Sequence, residues 1–262
     1  MSRLCVESIG ATTLLRLDAP ERRNALDLAT MQALVAALRA ADDDPEVRAV
    51  ILTGADPAFC AGLDLGSVSA GELVLERVEQ LDADPWRTLQ ELSTPTIAAV
   101  NGPAVTGGLE LVLCCDLAIA SERATFADTH ARVGIVPSGG MTVLLPRQVG
   151  RREALGMSLT GRFVPADEAR AMGLVNQVVP HAHLHEATLA VGEAIAGTDA
   201  EVLRSVMSTS RALDGLPLAE ALAEERRIGR AVAVDPAAVD ARRSAVIERG
   251  RRLAGSADAS AP

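Results

Sequence analysis

Two glycine-bearing segments, about forty residues apart, carry the groups in this chain that can do chemistry. One is AFCAGLDL, Ala58–Leu65, and the other is AAVNGPAVTGGLELVLCCDLAIA, Ala98–Ala120. Each follows an apolar, β-branched run (AVILTG and PTIAAV) of the kind that forms a buried strand. A glycine-containing turn from strand to helix aims backbone N–H groups into a cleft, where a pair of them can hold a developing oxyanion. Glu110 lies one turn inside the helix expected to open at Gly107 and Gly108, so its carboxylate comes within reach of whatever that pair binds. The combination suits stabilisation of a thioester enolate.

Other reactive residues are better read as packing. Cys5, Cys60, Cys114 and Cys115 contain no CxxC pair, and buried reduced thiols are expected. Cys60 lies within the first segment, but no histidine lies near it in sequence to activate it as a nucleophile. His181 and His185 have the i, i+4 spacing of a zinc pair on a helix. No acidic third ligand stands at a fixed spacing from them, so a surface turn entering a helix is expected and no metal site is assigned. Trp86 and Met141 are candidates for an acyl pocket or for the core, and Arg147 for a structural ion pair.

Composition narrows the function further. The 262 residues have a formal charge of −10, which argues against binding nucleic acid through a basic surface. All 25 basic residues are Arg, and the absence of Lys removes Schiff-base chemistry and the P-loop lysine. An anionic ligand must therefore be held by Arg or by backbone. No apolar stretch reaches the roughly 18 residues of a membrane span, and the opening residues lack a basic region leading into an apolar run. A cytoplasmic, packed protein is expected.

These groups must be positioned by a framework that reads as alternating strands and helices. LCVESI and ATTLLRLD are expected strands around a turn at Gly10, and Asn24–Ala41 has helical spacing with Asp27 or Thr30 as its cap. VRAVILTG and PTIAAV are strands, and the variable stretch from Gly66 to Leu92 between them reads as helical. LELVLCCDLAIA is a helix running into a strand. Strand and loop follow around FADTHARVGIVPSGG, then helices, then a short strand in AGLVNQVVP. From Leu189 the pattern is helical throughout. This order predicts an α/β core over residues 1–195, a helical region over 196–253 and a disordered tail over 254–262.

Taken together, PERRNALD, VRAVILTGADPAFCAGLDL, PTIAAVNGPAVTGGLEL, CDLAIASERATFA, GIVPSGGMTVLLPRQVG and GLVNQVVP resemble the crotonase (enoyl-CoA hydratase/isomerase) superfamily, in order, over about two-thirds of the chain. The resemblance implies a crotonase-like spiral of repeated ββα units and a helical C-terminal region that assembles trimers, often paired into hexamers. It places the oxyanion hole at the N–H groups of Leu63 and Gly107 and the first catalytic acid at Glu110. It places coenzyme A near Arg22, Arg23, Ala61 and Asp64, although Asp64 is also expected to cap the following helix. Coenzyme A would enter as part of the thioester substrate, with no permanently bound cofactor.

The chain departs from the hydratase pattern at the second acid, where His130 stands in FADTHARVGIVP. Three readings are open there. An imidazole, titrating near pH 6.5 in water, can carry the second proton; it can shape the pocket while Glu110 works alone; or turnover is lost and the site only binds acyl-CoA. Asp128 is two residues out of register and is the weaker candidate. Water addition to a 2-enoyl-CoA is the expected activity, with double-bond isomerisation or other acyl-CoA enolate chemistry as alternatives.

Overall fold

The structure is a computed structural model that describes residues 3–71, 73, 75–231 and 235–258. In order its elements are β1 (Leu4–Ile9), β2 (Thr12–Leu17), α1 (Leu28–Asp43), β3 (Ala49–Gly54), α2 (Leu65–Ser69), α3 (Leu75–Gln80), α4 (Pro85–Glu91), β4 (Thr96–Val100), β5 (Ala104–Val105) and α5 (Gly107–Cys114). There follow β6 (Leu117–Ser121), β7 (Thr125–Ala127), α6 (His130–Val133), α7 (Met141–Val149), α8 (Arg151–Thr160), β8 (Val164–Pro165), α9 (Ala166–Ala171), β9 (Gln177–Val179) and α10 (Leu184–Ala196). The last three are α11 (Ala200–Leu213), α12 (Leu218–Ala231) and α13 (Pro236–Asp258).

Two sheets organise the first unit, Met1–Met207. The larger runs β1-β2-β3-β4-β6-β9, antiparallel only at the β1–β2 hairpin, and the smaller runs β5-β7-β8. The spiral repeat is clearest in the middle of the unit, where β4, β5 and α5 form one turn, adding a strand to each sheet before a helix returns the chain, and β6 and β7 begin the next. Parallel strands joined by such crossovers are covered on both faces, which explains why β3 and β4 read as near-continuous apolar runs. Val50 and Leu52 face a core shared with α1, α4 and α5, whereas Ala49 and Ile51 face one covered by α10. Phe59 and Phe126 are fully buried; truncating either to Ala would cost about 3–5 kcal/mol.

The second unit, Ser208–Pro262, is helical. α13 continues through residues 254–258, which had been expected in a disordered tail; AGSAD contains no helix-breaking proline, and residues 259–262 lie outside the described residues.

Other expectations shift for local reasons. The first helix begins at Leu28 rather than Asn24, because Asn24 sits at φ 58° and Asp27 accepts the Thr30 N–H at 2.9 Å as the cap. Asn24 instead ties loops together. Its carboxamide accepts the Ala19 N–H at 2.9 Å and donates to the carbonyls of Ala55 at 2.8 Å and Ala58 at 2.7 Å. The segment read as strand and loop after β7 contains the four-residue helix α6, and His130 is its first residue. Among the described residues no helix is long and apolar enough to cross a membrane.

Candidate active site

The first N–H donor is presented by a bridge between the loop before α1 and the loop before α2. Leu26 N–H donates to Gly62 O at 2.8 Å, and Asp64 N–H donates to Leu26 O at 2.9 Å. In a parallel bridge the intervening residue directs its own peptide groups the other way. The Leu63 N–H therefore faces away from Leu26, and Leu63 lines the cleft. Gly62 makes the turn at φ 93°, where a Cβ would come within 2.2 Å of Thr106 Oγ1.

The second donor opens α5. The first N–H groups of a helix have no acceptor within it, and Gly107 is the first residue of this one. Thr106 before it holds φ 49° and ψ −116°. Positive φ is an outlier for a β-branched residue and costs about 1–3 kcal/mol. The Thr106 N–H donates to Ala127 O at 2.9 Å, holding the turn that points Gly107 N–H outward. A Cβ built on Gly107 would lie 3.6 Å from Leu63 N, so the two donors border one space.

Glu110 reaches the same space from α5, all eight residues of which are buried. Its Oε1 accepts N–H groups from Gly139 at 2.9 Å and Met141 at 3.1 Å, and its Oε2 lies 3.8 Å from His130 Nε2. Burial raises the Glu110 carboxyl above the ordinary carboxylate range, against the opposing pull of the Met141 N–H, the His130 ring and the Gly139 N–H. A carboxyl tuned upward in this way suits proton transfer near neutrality. Gly139 has to be glycine here: a Cβ would fall 2.8 Å from both Glu110 Oε2 and the Trp86 ring.

His130 and Glu110 line one cleft of about 90 Å³ with Ala61, Leu63, Trp86 and Gly107. Trp86 donates its indole N–H to Gly107 O at 2.9 Å, which places it in the cleft wall and in the core at once. Beside it a second cavity of about 250 Å³, bordered by Met31, Leu63, Val68, Leu73, Val78 and Trp86, is apolar apart from Asp84 and Ser138. Met141 contributes its N–H to Glu110 while its side chain is buried in the core.

Asp128 is the residue whose place sequence reasoning underrated. It is buried, and its Oδ1 accepts the His130 ring at Nδ1 (2.8 Å) and the His130 backbone N–H (3.2 Å). Burial alone would raise its carboxyl, but hydrogen bonds from the His130 ring, the Ser158 hydroxyl and the His130 N–H hold it below the ordinary value. The available signal was the D-x-H spacing at a strand end, where a carboxylate reaches both the backbone N–H and the ring of the histidine two residues on.

The remaining candidates fall elsewhere. Arg22 bridges Asp64 at 2.8 Å and Asp27 at 2.9 Å, fastening α1 to the loop that carries Leu63. Asp64 also caps α2 by accepting the Ser67 N–H at 2.9 Å. Arg23 is exposed, with its carbonyl accepting the Ala61 N–H at 3.0 Å. Burial pushes the Cys60 thiol up to about 12, which keeps it a thiol rather than a nucleophile. His181 contacts Ser121 Oγ at 3.0 Å and Asp56 Oδ2 at 3.1 Å. Among the described residues no group of three or more His, Cys, Asp or Glu side chains is placed to hold a metal ion. Arg147 donates to Val143 O within α7.

This spiral, with its two convergent backbone donors and buried glutamate, is the architecture of an acyl-CoA enzyme of the crotonase type. The enoyl-CoA hydratase/isomerase family model matches residues 8–243, and the chain belongs to that family. It is 38% identical to a probable enoyl-CoA hydratase of Rhizobium meliloti, covering 86% of this chain and 87% of that one. It is 39% identical to a putative enoyl-CoA hydratase of Thermus thermophilus, covering 80% and 84%. Among solved structures, an enoyl-CoA hydratase from Bacillus anthracis superposes with a TM-score of 0.82 at 32% identity, covering 88% and 91%. One from Mycobacterium avium gives 0.73 at 41%, covering 88% and 95%.

Proposed function

We propose that this enzyme adds water across the double bond of a 2-enoyl-CoA. The observation that carries the reading is the approach of Glu110 Oε2 to His130 Nε2, 3.8 Å, in the cleft bordered by the Leu63 and Gly107 N–H groups. Hydration needs those parts together. The N–H pair holds the thioester oxygen as it gains charge, one group takes a proton from water, and a second protonates the α-carbon. In this reading Glu110 is the base and His130 the acid, and the apolar cavity beside Trp86 takes the acyl chain.

Coenzyme A enters as part of the substrate, along the loops of Arg22, Arg23, Ala61 and Asp64. Arg23, exposed while Arg22 is engaged by Asp27 and Asp64, is the better placed cation for its phosphates. We assign a cytoplasmic homotrimer or dimer of trimers. Support comes from exposed apolar side chains on the first unit, including Val136 (83%), Leu159 (75%) and Phe163 (57%), and from α11 and α12, whose apolar residues are all unburied.

The test is the loss of conjugated thioester absorbance from crotonyl-CoA and a longer 2-enoyl-CoA, with wild type beside Glu110→Gln and His130→Ala. Turnover abolished by both substitutions is the expected result. Loss with Glu110→Gln alone makes His130 a pocket residue. Binding without turnover, read as ligand-dependent thermal stabilisation, overturns hydration in favour of acyl-CoA binding.

A further inference from the structure

We infer that Asp128 is the positioning residue that makes His130 a working substitute for a second glutamic acid, so that Asp128 and His130 act as one proton-carrying unit. The inference rests on the hydratase reading and deepens it. The geometry is directional. An ionised carboxylate only accepts hydrogen bonds, so Asp128 Oδ1, 2.8 Å from Nδ1, fixes a proton on that nitrogen and leaves Nε2 to face Glu110 and the cleft. The backbone N–H of His130, 3.2 Å from the same oxygen, stops the carboxylate from swinging away, and the Ser158 hydroxyl on α8 is a further donor to it. All three acid–base residues are at least nine-tenths buried, so these contacts operate away from bulk solvent.

Charge explains why a lone histidine would not suffice. Beside an ionised Glu110, a protonated glutamic acid contributes no net charge and one transferable proton. A histidinium alone contributes the same proton but adds a positive charge, changing the field that a negative enolate meets. Histidinium paired with ionised Asp128 is again net neutral with one transferable proton. The pair therefore reproduces both the proton and the charge of the carboxylic acid that the resembled hydratases place at this position.

The step balances as follows. Water oxygen bonds to the β-carbon while Glu110 takes one of its protons, and the double-bond electrons move onto the thioester oxygen between Leu63 and Gly107 N–H. The enolate collapses as its α-carbon takes the Nε2 proton of His130. Glu110 then returns its proton to Nε2, restoring the starting state with one water added. The titratable groups facing the imidazole are Glu110, from α5, and Asp128, from the turn before α6; α8 offers the Ser158 hydroxyl, and Arg132 on α6 is turned to Thr160 O.

The experiment uses full-length protein and crotonyl-CoA. Asp128→Asn is expected to lower kcat about 100-fold, with KM changed less than threefold and the alkaline limb of the kcat–pH profile moved to lower pH. Adding His130→Glu to Asp128→Asn is expected to recover at least tenfold, because a glutamic acid needs no counter-charge; a structural role for Asp128 would not be rescued that way. A second readout is independent of turnover: 15N spectra of histidine-labelled protein, with His130 assigned by its loss in His130→Gln, should show the neutral ring protonated at Nδ1. Protonation at Nε2 overturns the inference, as does an Asp128→Asn enzyme with unchanged kcat and pH limbs while Glu110→Gln and His130→Ala are inactive. Wild-type protein that binds crotonyl-CoA but does not hydrate it overturns the hydratase reading instead, and the ring tautomer then still reports on Asp128.

Discussion

Gly107→Ala separates the proposed oxyanion hole from the fold that builds it. Gly107 is not in the left-handed region, so alanine is allowed there by backbone geometry. The added methyl would lie 3.1 Å from Trp86 Cζ2, 3.4 Å from Gly62 Cα and 3.6 Å from Leu63 N. Only the first is tight, and it requires the indole to retreat by a few tenths of an ångström. Replacing glycine in a helical turn returns about 0.5–1 kcal/mol through the unfolded chain. The two effects nearly cancel, and the expected change in stability is within about 1 kcal/mol, or roughly 2 °C in melting temperature for a chain this long.

Catalysis should respond very differently. A thioester oxygen bound by both donors sits about 2.9 Å from each nitrogen, in the space the methyl now borders. Losing one oxyanion donor costs about 10²–10³ in kcat, so a drop of at least 100-fold in kcat/KM for crotonyl-CoA is expected from a folded protein. Melting curves and hydration rates on the same preparation decide it. A variant keeping kcat/KM within threefold of wild type would refute the placement of the thioester carbonyl between Leu63 and Gly107. Gly108→Ala is the contrast, since its Cβ would fall 2.0 Å from the Cys60 carbonyl and should prevent folding.

Further outcomes are expected from other parts of the site. Glu110→Gln should raise the melting temperature relative to wild type at pH 8 but not at pH 5. Burial raises the carboxyl in the folded state, so stability falls as pH rises from the unfolded carboxyl's ordinary value and the loss is complete above the raised folded value; glutamine has no such loss. Asn24→Ala should cost about 2–4 kcal/mol in urea unfolding, because a buried side chain leaves Ala19 N–H and the Ala55 and Ala58 carbonyls short of a partner. Cys60, with its thiol near 12, should resist alkylation at pH 8 in the native protein, and Cys60→Ala should keep most activity. Trp86, the sole tryptophan, should change its fluorescence when crotonyl-CoA binds; an unchanged spectrum at saturating ligand would place the acyl group elsewhere.

The candidate site was legible in sequence where its groups belong to the backbone. A donor made from N–H groups requires glycine at fixed steps from a strand end, and AGLD and TGGLE state those steps directly. Glu110 was legible for the same reason, since one helical turn from Gly107 fixes its direction. The proposed proton-carrying pair was less so. His130 stood out as a departure, but its use depends on which ring nitrogen faces the cleft, and that depends on the Asp128 carboxylate, the Ser158 hydroxyl from α8 and the end of β7 meeting in one place. Arg22 shows the same limit from the other side. Its position suggested a phosphate contact, yet the fold brings Asp27 from five residues away and Asp64 from 42 to the same guanidinium. Backbone chemistry is written in local sequence; the charge state of a side chain is written by whatever the fold brings against it.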